Sequence, residues 1–126
     1  MSTNSNPGAL QIDQIGFWCH QMPEASLDHT FGPETDVYRV SDKIFAMVNT
    51  DDPGFVTLKA PPEEVQALLG QYDSTRAGYY MNKRHWITID LNGDVPVVEL
   101  PDLIADSYQL VFTSLSKKRQ AEINSP

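Results

Sequence analysis

The sequence predicts an α+β fold: an antiparallel sheet of about four or five strands packed against three helices, in the order α-β-β-β-α-β-α. Three observations predict it. Apolar residues recur at helical spacing in three separate segments, and between the first two lie short strand-like runs bounded by Gly, Asn, Asp and Ser. The connections between those runs are too short for parallel crossovers, which leaves an antiparallel meander.

Between Leu10 and Gln21, Ile12, Ile15, Cys19 and Met22 fall on one stripe widened by Phe17 and Trp18, so a first helix is expected there, stopped by Pro23. Cys19 on that stripe reads as a small buried hydrophobe rather than a nucleophile. Glu24–Asp36 shows no apolar period and reads as a loop fixed by Gly32-Pro33. Within it Asp28 adjoins His29, but adjacency in sequence does not make an acid–base pair.

Val37–Val40, Ile44–Asn49 and Phe55–Ala60 read as three strands, turned at Ser41–Asp42 and Asp51–Gly54. In the third, Val56, Leu58 and Ala60 share one face and Phe55, Thr57 and Lys59 the other. Pro61-Pro62 followed by Glu63-Glu64 opens a second helix through Tyr72, and Ser74–Gly78 turns the chain. Trp86–Leu91 alternates as a half-buried strand, and Asn92-Gly93 ends it. Val95–Leu100 is either a short extended segment or a loop. A third helix opens at Pro101-Asp102 and runs through Leu115, with Lys117, Lys118 and Arg119 near its end, where cations suit the dipole or form a second phosphate-reaching cluster.

The 126 residues, 40% of them hydrophobic, suffice for one core, assigned to residues 9–120, with flexible ends at 1–8 and 121–126. A single cysteine excludes an internal disulfide and fits a reducing compartment. No apolar run reaches the ~20 residues of a membrane span, and MSTNSNPG lacks the basic and apolar regions of a signal peptide, so a cytoplasmic protein with no membrane partner is expected. The net charge of −8 argues against non-specific wrapping around nucleic acid but leaves room for a local basic patch.

Phosphate-loop, dinucleotide-fold, zinc-protease, EF-hand and nucleophile-elbow motifs are absent. His20, His29, His85 and Cys19 have no metal-ligand spacing, so no metal, cofactor or catalytic residue is assigned, and an enzyme has little support. What stands out is Ala77–Leu91, AGYYMNKRHWITIDL, in a stretch where no acidic residue lies between Asp73 and Asp90. Lys59, Arg76, Tyr79, Asn82, Lys83, Arg84, His85 and Trp86 are the candidate ligand residues. Arg grips phosphate through paired donors, Lys acts as a point charge, and Tyr and Trp offer stacking faces. The structural alternative packs Tyr80, Met81 and Trp86 in the core, pairs Lys83 and Arg84 with acids, and spends Asn82 on its own turn.

GYYMNKRHW at Gly78–Trp86 resembles the G-Y-H-M-N-K-R-H-W of the MmcQ/YjbR family of small bacterial proteins. Phe31–Pro33 (FGP), Lys43–Val48 (KIFAMV), Leu58–Lys59 and Ser107–Val111 (SYQLV) support the resemblance in the expected order. It implies a YjbR-like, double-wing α+β domain with a DNA-binding description that derives from fold similarity. Tyr80 stands where histidine is common in the family. Three readings follow: a binding module for DNA or another phosphate-bearing ligand; a small-molecule or nucleotide pocket, with or without enzymatic activity, lined by Phe31, Tyr79 and Trp86; and a structural or protein-interaction domain. Oligomeric state is not legible.

Overall fold

The computed structural model describes residues 7–51, 54–78 and 81–125. Along the chain come α1 (Pro7–His20), β1 (Ser26–Asp28), β2 (Thr35–Val40), β3 (Lys43–Asn49), β4 (Phe55–Lys59), α2 (Pro62–Gln71), β5 (Thr75–Ala77) and β6 (Trp86–Asp90). A 3-10 turn (Val97–Glu99), α3 (Leu100–Thr113) and α4 (Lys117–Asn124) complete it. The strands form one sheet in the order β1-β2-β3-β4-β6-β5, antiparallel throughout.

The fold class matches the expectation, but among the described residues there are six strands and four helices rather than four or five and three. The extra strands, β1 and β5, are three residues each and occupy stretches read as loop and turn. Three residues are too few for alternation to show, so pairing with β2 and β6 decides them. The extra helix is α4, which Lys117, Lys118 and Arg119 begin rather than end. α3 stops where the hydroxyls of Thr113 and Ser114 bond back to the carbonyls of Gln109 (2.9 Å) and Val111 (2.6 Å). Ser116 then caps α4 by accepting the Arg119 N–H at 3.0 Å. No Gly or Pro marks that break, which is why periodicity ran through it. Buried Ile123 anchors α4, so residues 121–124 of the expected flexible end are helical. Pro7 and Gly8 begin α1, and the rest of the segment expected to be a flexible N-terminus lies outside the described residues. Val95–Leu100 contains the 3-10 turn instead of an extended segment.

The helices cover one sheet face. Ile15 and Cys19 of α1 and Ile104, Tyr108 and Val111 of α3 pack on Tyr38, Phe45, Val56 and Leu58. α2 adds Val65 and Leu68 against Ala60 and Ile87. The rings of Tyr38, Phe45, Tyr108 and Phe112 run through this core with successive centroids 6.4, 5.3 and 5.9 Å apart. The opposite face is not left open as the alternation of β6 suggested. Val37, Met47, Thr57, Thr88 and Trp86 are buried there, and the hydroxyls of Thr57 and Thr88 bond at 2.8 Å.

One irregularity sets the geometry of the sheet. Tyr38 pairs with Ala46 but Arg39 with Ile44, so Phe45 is an extra residue in β3. The bulge lets Phe45 and Ala46 both join the core. The β3–β4 register ends at Ala46 and Leu58. Just beyond it the fully buried Ser107 of α3 accepts the Lys59 N–H at 2.8 Å and donates to the Phe45 carbonyl at 2.6 Å. Its hydroxyl thus continues the ladder one step past the last strand pair.

Ser107→Ala is expected to cost about 1–3 kcal/mol, because it strands a donor on β4 and an acceptor on β3. Urea denaturation measures this. A loss within about 0.5 kcal/mol, the usual range of a surface change, would mean that the bridge is dispensable.

Candidate functional site

Antiparallel pairing gives the sheet two ends. At one end lie the β2–β3 turn, the end of β4, the β5–β6 connection and the end of α3. The β3–β4 connection, the α2–β5 turn, the end of β6 and the start of α3 lie at the other.

The GYYMNKRHW stretch builds the β5–β6 connection at the first end. The Gly78 N–H donates to the Trp86 carbonyl at 2.8 Å, and a Cβ at Gly78 would stand 2.4 Å from that of Trp86, so only glycine fits. Asn82 folds the turn: its side-chain oxygen accepts the Arg84 N–H at 2.8 Å and its carbonyl accepts that of His85 at 3.2 Å. The His85 carbonyl in turn accepts the Ala60 N–H at 2.9 Å, which ties the turn to the end of β4. Lys83 and Arg84 are left exposed, and His85 is partly buried. Trp86 is only 7% exposed, with the Lys59 ammonium 6.0 Å from its ring centroid. It therefore offers no free stacking face. Tyr79, like Tyr80, lies outside the described residues.

Arg76 does not join this group. It sits over the Phe55 ring at 5.1 Å and pairs with Asp90, toward the other end of the sheet. Phe31 is also remote from Trp86: it lies in the β1–β2 loop, which leads to the Thr35 end of β2. The pocket expected from Phe31, Tyr79 and Trp86 is therefore not assembled by Phe31 and Trp86. Asp28 and His29 part company as well, since Asp28 holds Arg39 at 2.6 Å while His29 bonds Asp36 at 2.8 Å.

Sequence reading missed other cations at the basic end. Arg39 and Lys43 flank the β2–β3 turn. Arg119 at the start of α4 donates to the Ser41 hydroxyl in that turn, which places Lys117 and Lys118 nearby. Of the nine Lys and Arg residues, all but Arg76 thus come from elements that meet at this end. The only signal in the sequence was the Lys117–Arg119 run, and its helix-end explanation falls because these cations stand at a helix start.

Three arginines are neutralised: Arg39 by Asp28, Arg76 by Asp90, and Arg119 by Glu24 at 2.9 Å and Glu122 at 3.5 Å. The Thr30 hydroxyl and N–H, followed by Arg39, hold the Asp28 carboxyl down to about 2. Its pairing therefore persists at neutral pH and is lost only as pH falls from about 4 through that value. By contrast Lys43, Lys59, Lys83, Arg84, Lys117 and Lys118 have no carboxylate within 4.0 Å among the described residues. Among the described residues, then, no acid consumes Lys83 or Arg84. Asp42, Glu63 and Glu64 share this end with the arginine partners Glu24, Asp28 and Glu122, while Asp51, Asp73, Asp90, Asp94, Glu99 and Asp102 gather at the other, where Arg76 is the cation.

Between the β2–β3 turn, the ends of β4 and α3 and the start of β6 lies a cleft of about 410 Å³. Lys43, Ile44, Lys59, Met81 and Trp86 line it, and Lys43 donates to Ser114 at 3.3 Å. Cys19 lies apart from it, fully buried, and burial pushes its thiol up to about 12, so it is no nucleophile. The described residues contain no metal-binding group of three or more His, Cys, Asp or Glu, and no helix among them is long and apolar enough to cross a membrane.

The YjbR family model matches residues 20–110. The Escherichia coli O157:H7 protein YbdF is 38% identical over 107 residues, covering 82% of this chain and 85% of that relative. YjbR of Escherichia coli K12 is 29% identical over 113 residues, covering 88% and 95%. A Deinococcus radiodurans crystal structure of a DUF419 domain matches with a TM-score of 0.85 at 29% identity, covering 98% of this chain and 94% of its own. A Pseudomonas syringae crystal structure matches with a TM-score of 0.68 at 32% identity, covering 79% and 97%.

Gly78→Ala is expected to destabilise the protein by about 1–3 kcal/mol, the usual cost of overpacking, and to shift tryptophan emission as Trp86 is displaced. Thermal unfolding with fluorescence detection checks both; an unchanged transition and spectrum would show that the contact relaxes freely.

Proposed function

Since the chain belongs to the MmcQ/YjbR family, for which a DNA-binding description exists, we propose that it is a non-enzymatic module that binds the phosphates of a nucleic-acid strand at its basic end. One observation carries this reading: six cations drawn from separate elements share that end without carboxylate partners among the described residues. Such charges are a ready source of phosphate affinity, because each phosphate neutralised releases condensed counterions. The segregation of charge answers the objection from the net charge of −8. An acidic far end repels the polyanion and turns the basic end toward it.

The chemistry favours contact with the backbone over reading of bases. Trp86 is buried beneath Lys59, and the side-chain oxygen of Asn82 is spent on the turn, so neither is free for the stacking or paired base contacts that specify sequence. Lys83 and Arg84, exposed on the β5–β6 connection, are the leading contacts.

Titrating single- and double-stranded oligonucleotides at several salt concentrations tests this. Three to five phosphate contacts give a log–log slope of about −3 to −5 for duplex, and the Lys83→Ala/Arg84→Ala variant should reduce it by about 2. No binding at low salt by a folded protein, or a slope unmoved in the variant, would sink the reading.

A further inference from the structure

We infer that the cleft at the basic end is a pocket for one phosphate monoester on a nucleoside-sized body: the terminal phosphate of a strand or a free mononucleotide. This rests on the reading of the basic end as a phosphate site and names the unit that it seats.

The cleft combines two features. Its volume of about 410 Å³ lies in the range of roughly 300–1,000 Å³ typical of small-molecule sites. Its chemistry is divided. Lys43 and Lys59 border it with no carboxylate partner among the described residues, while Ile44, Met81, Trp86 and Val111 provide an apolar wall. Arg39 also lines it, but Asp28 neutralises that charge. Among the described residues the lining holds one carboxylate, Asp42, whose main-chain carbonyl accepts from Arg39 at 3.0 Å.

A phosphate monoester carries about −1.5 to −2 charge at neutral pH. Two lysines match that better than they match the single charge of a backbone diester. Apolar surface would be idle against inorganic phosphate, but Ile44 and Met81, the part-buried members of this wall, can pack against the edge of a base or a sugar, with Trp86 and Val111 backing them. A second hollow of about 360 Å³, between the start of α2 and α3, has the opposite character, because Glu64 and Asp106 line it and would repel the same ligand.

The bulge at Phe45 and the Ser107 bridge hold the cleft's walls. The bulge brings Ile44 to the side of Lys59, and the bridge fixes the backbone of Lys59 itself. The lysine ammonium rests near the Trp86 ring at 6.0 Å, so a phosphate that draws it away changes the surroundings of a fluorophore. Trp18 is the only other tryptophan, and a Trp18→Phe background isolates the signal.

The test is to titrate that folded variant with adenosine monophosphate, adenosine and inorganic phosphate, following Trp86 emission and confirming affinities by calorimetry. Saturable binding of the monophosphate, at least tenfold tighter than either fragment, is expected. Lys59→Ala and Lys43→Ala should each weaken it by tenfold or more, with Lys59→Arg restoring most of the loss. Oligonucleotides with and without a 5′-phosphate separate the sources: tighter binding of the phosphorylated end assigns a strand terminus, and equal binding beside a responding monophosphate assigns the free nucleotide. If the monophosphate binds no better than inorganic phosphate, or not at all, the pocket is overturned, and retained oligonucleotide binding would leave the basic-end reading standing. Loss of both would overturn both.

Discussion

A serine hydroxyl sits where the ladder between the two central strands opens. The bulge at Phe45 lets an aromatic ring into the core that alternation would otherwise have turned to the opposite face, but it ends regular pairing at Ala46 and Leu58. Ser107 occupies the opening, bonded to β4 and β3 at 2.8 and 2.6 Å, and because it belongs to α3 it also fixes that helix on the sheet. Buried backbone groups left unpaired are costly, so the hydroxyl makes the bulge tolerable. That contact holds the Lys59 backbone from the β3 side, while pairing with Trp86 in β6 holds it from the other, and the two together set one wall of the cleft.

A second constraint is glycine at Gly78. Its backbone lies so close to Trp86 that a side chain has no room, which sets β5 against β6 before the chain turns at Asn82. The turn leaves Lys83 and Arg84 exposed and returns through His85 to the end of β4. The NKRHW stretch therefore does two things. Asn82 and Trp86 build the hairpin, and the intervening cations are presented by it. The binding and structural readings of this stretch divide its residues between them.

Charge is sorted along the sheet axis. Arginines that could have enlarged the basic end are locked by Asp28 and Glu24, while lysines there lack such partners among the described residues. Lys117 and Lys118 stand at the positive end of α4, where their charge is unfavourable to the helix itself. An anion at this end would relieve that repulsion. The turn-rich far end carries much of the negative charge, with Asp94 accepting from the Asp73 and Ser74 N–H groups, both at 3.0 Å.

The sequence by itself determined the fold class, the helical stripe at Ile15–Cys19, the presence of the second and third helices, the inert Cys19 and the turn at Asn82, because each depends on spacing or chemistry within a few residues. Three-residue β1 and β5 carry too little pattern to be seen, and the break before α4 carries no glycine or proline to announce it. Only the tertiary structure decided which cations meet. Lys43, Lys59, Lys83 and Lys117 are scattered along the chain and come together through antiparallel pairing and the packing of α3 and α4, whereas Arg76, although close to Lys83 in sequence, is directed to Asp90. Strand register and helix docking are set by contacts between distant residues, and local periodicity contains no measure of them.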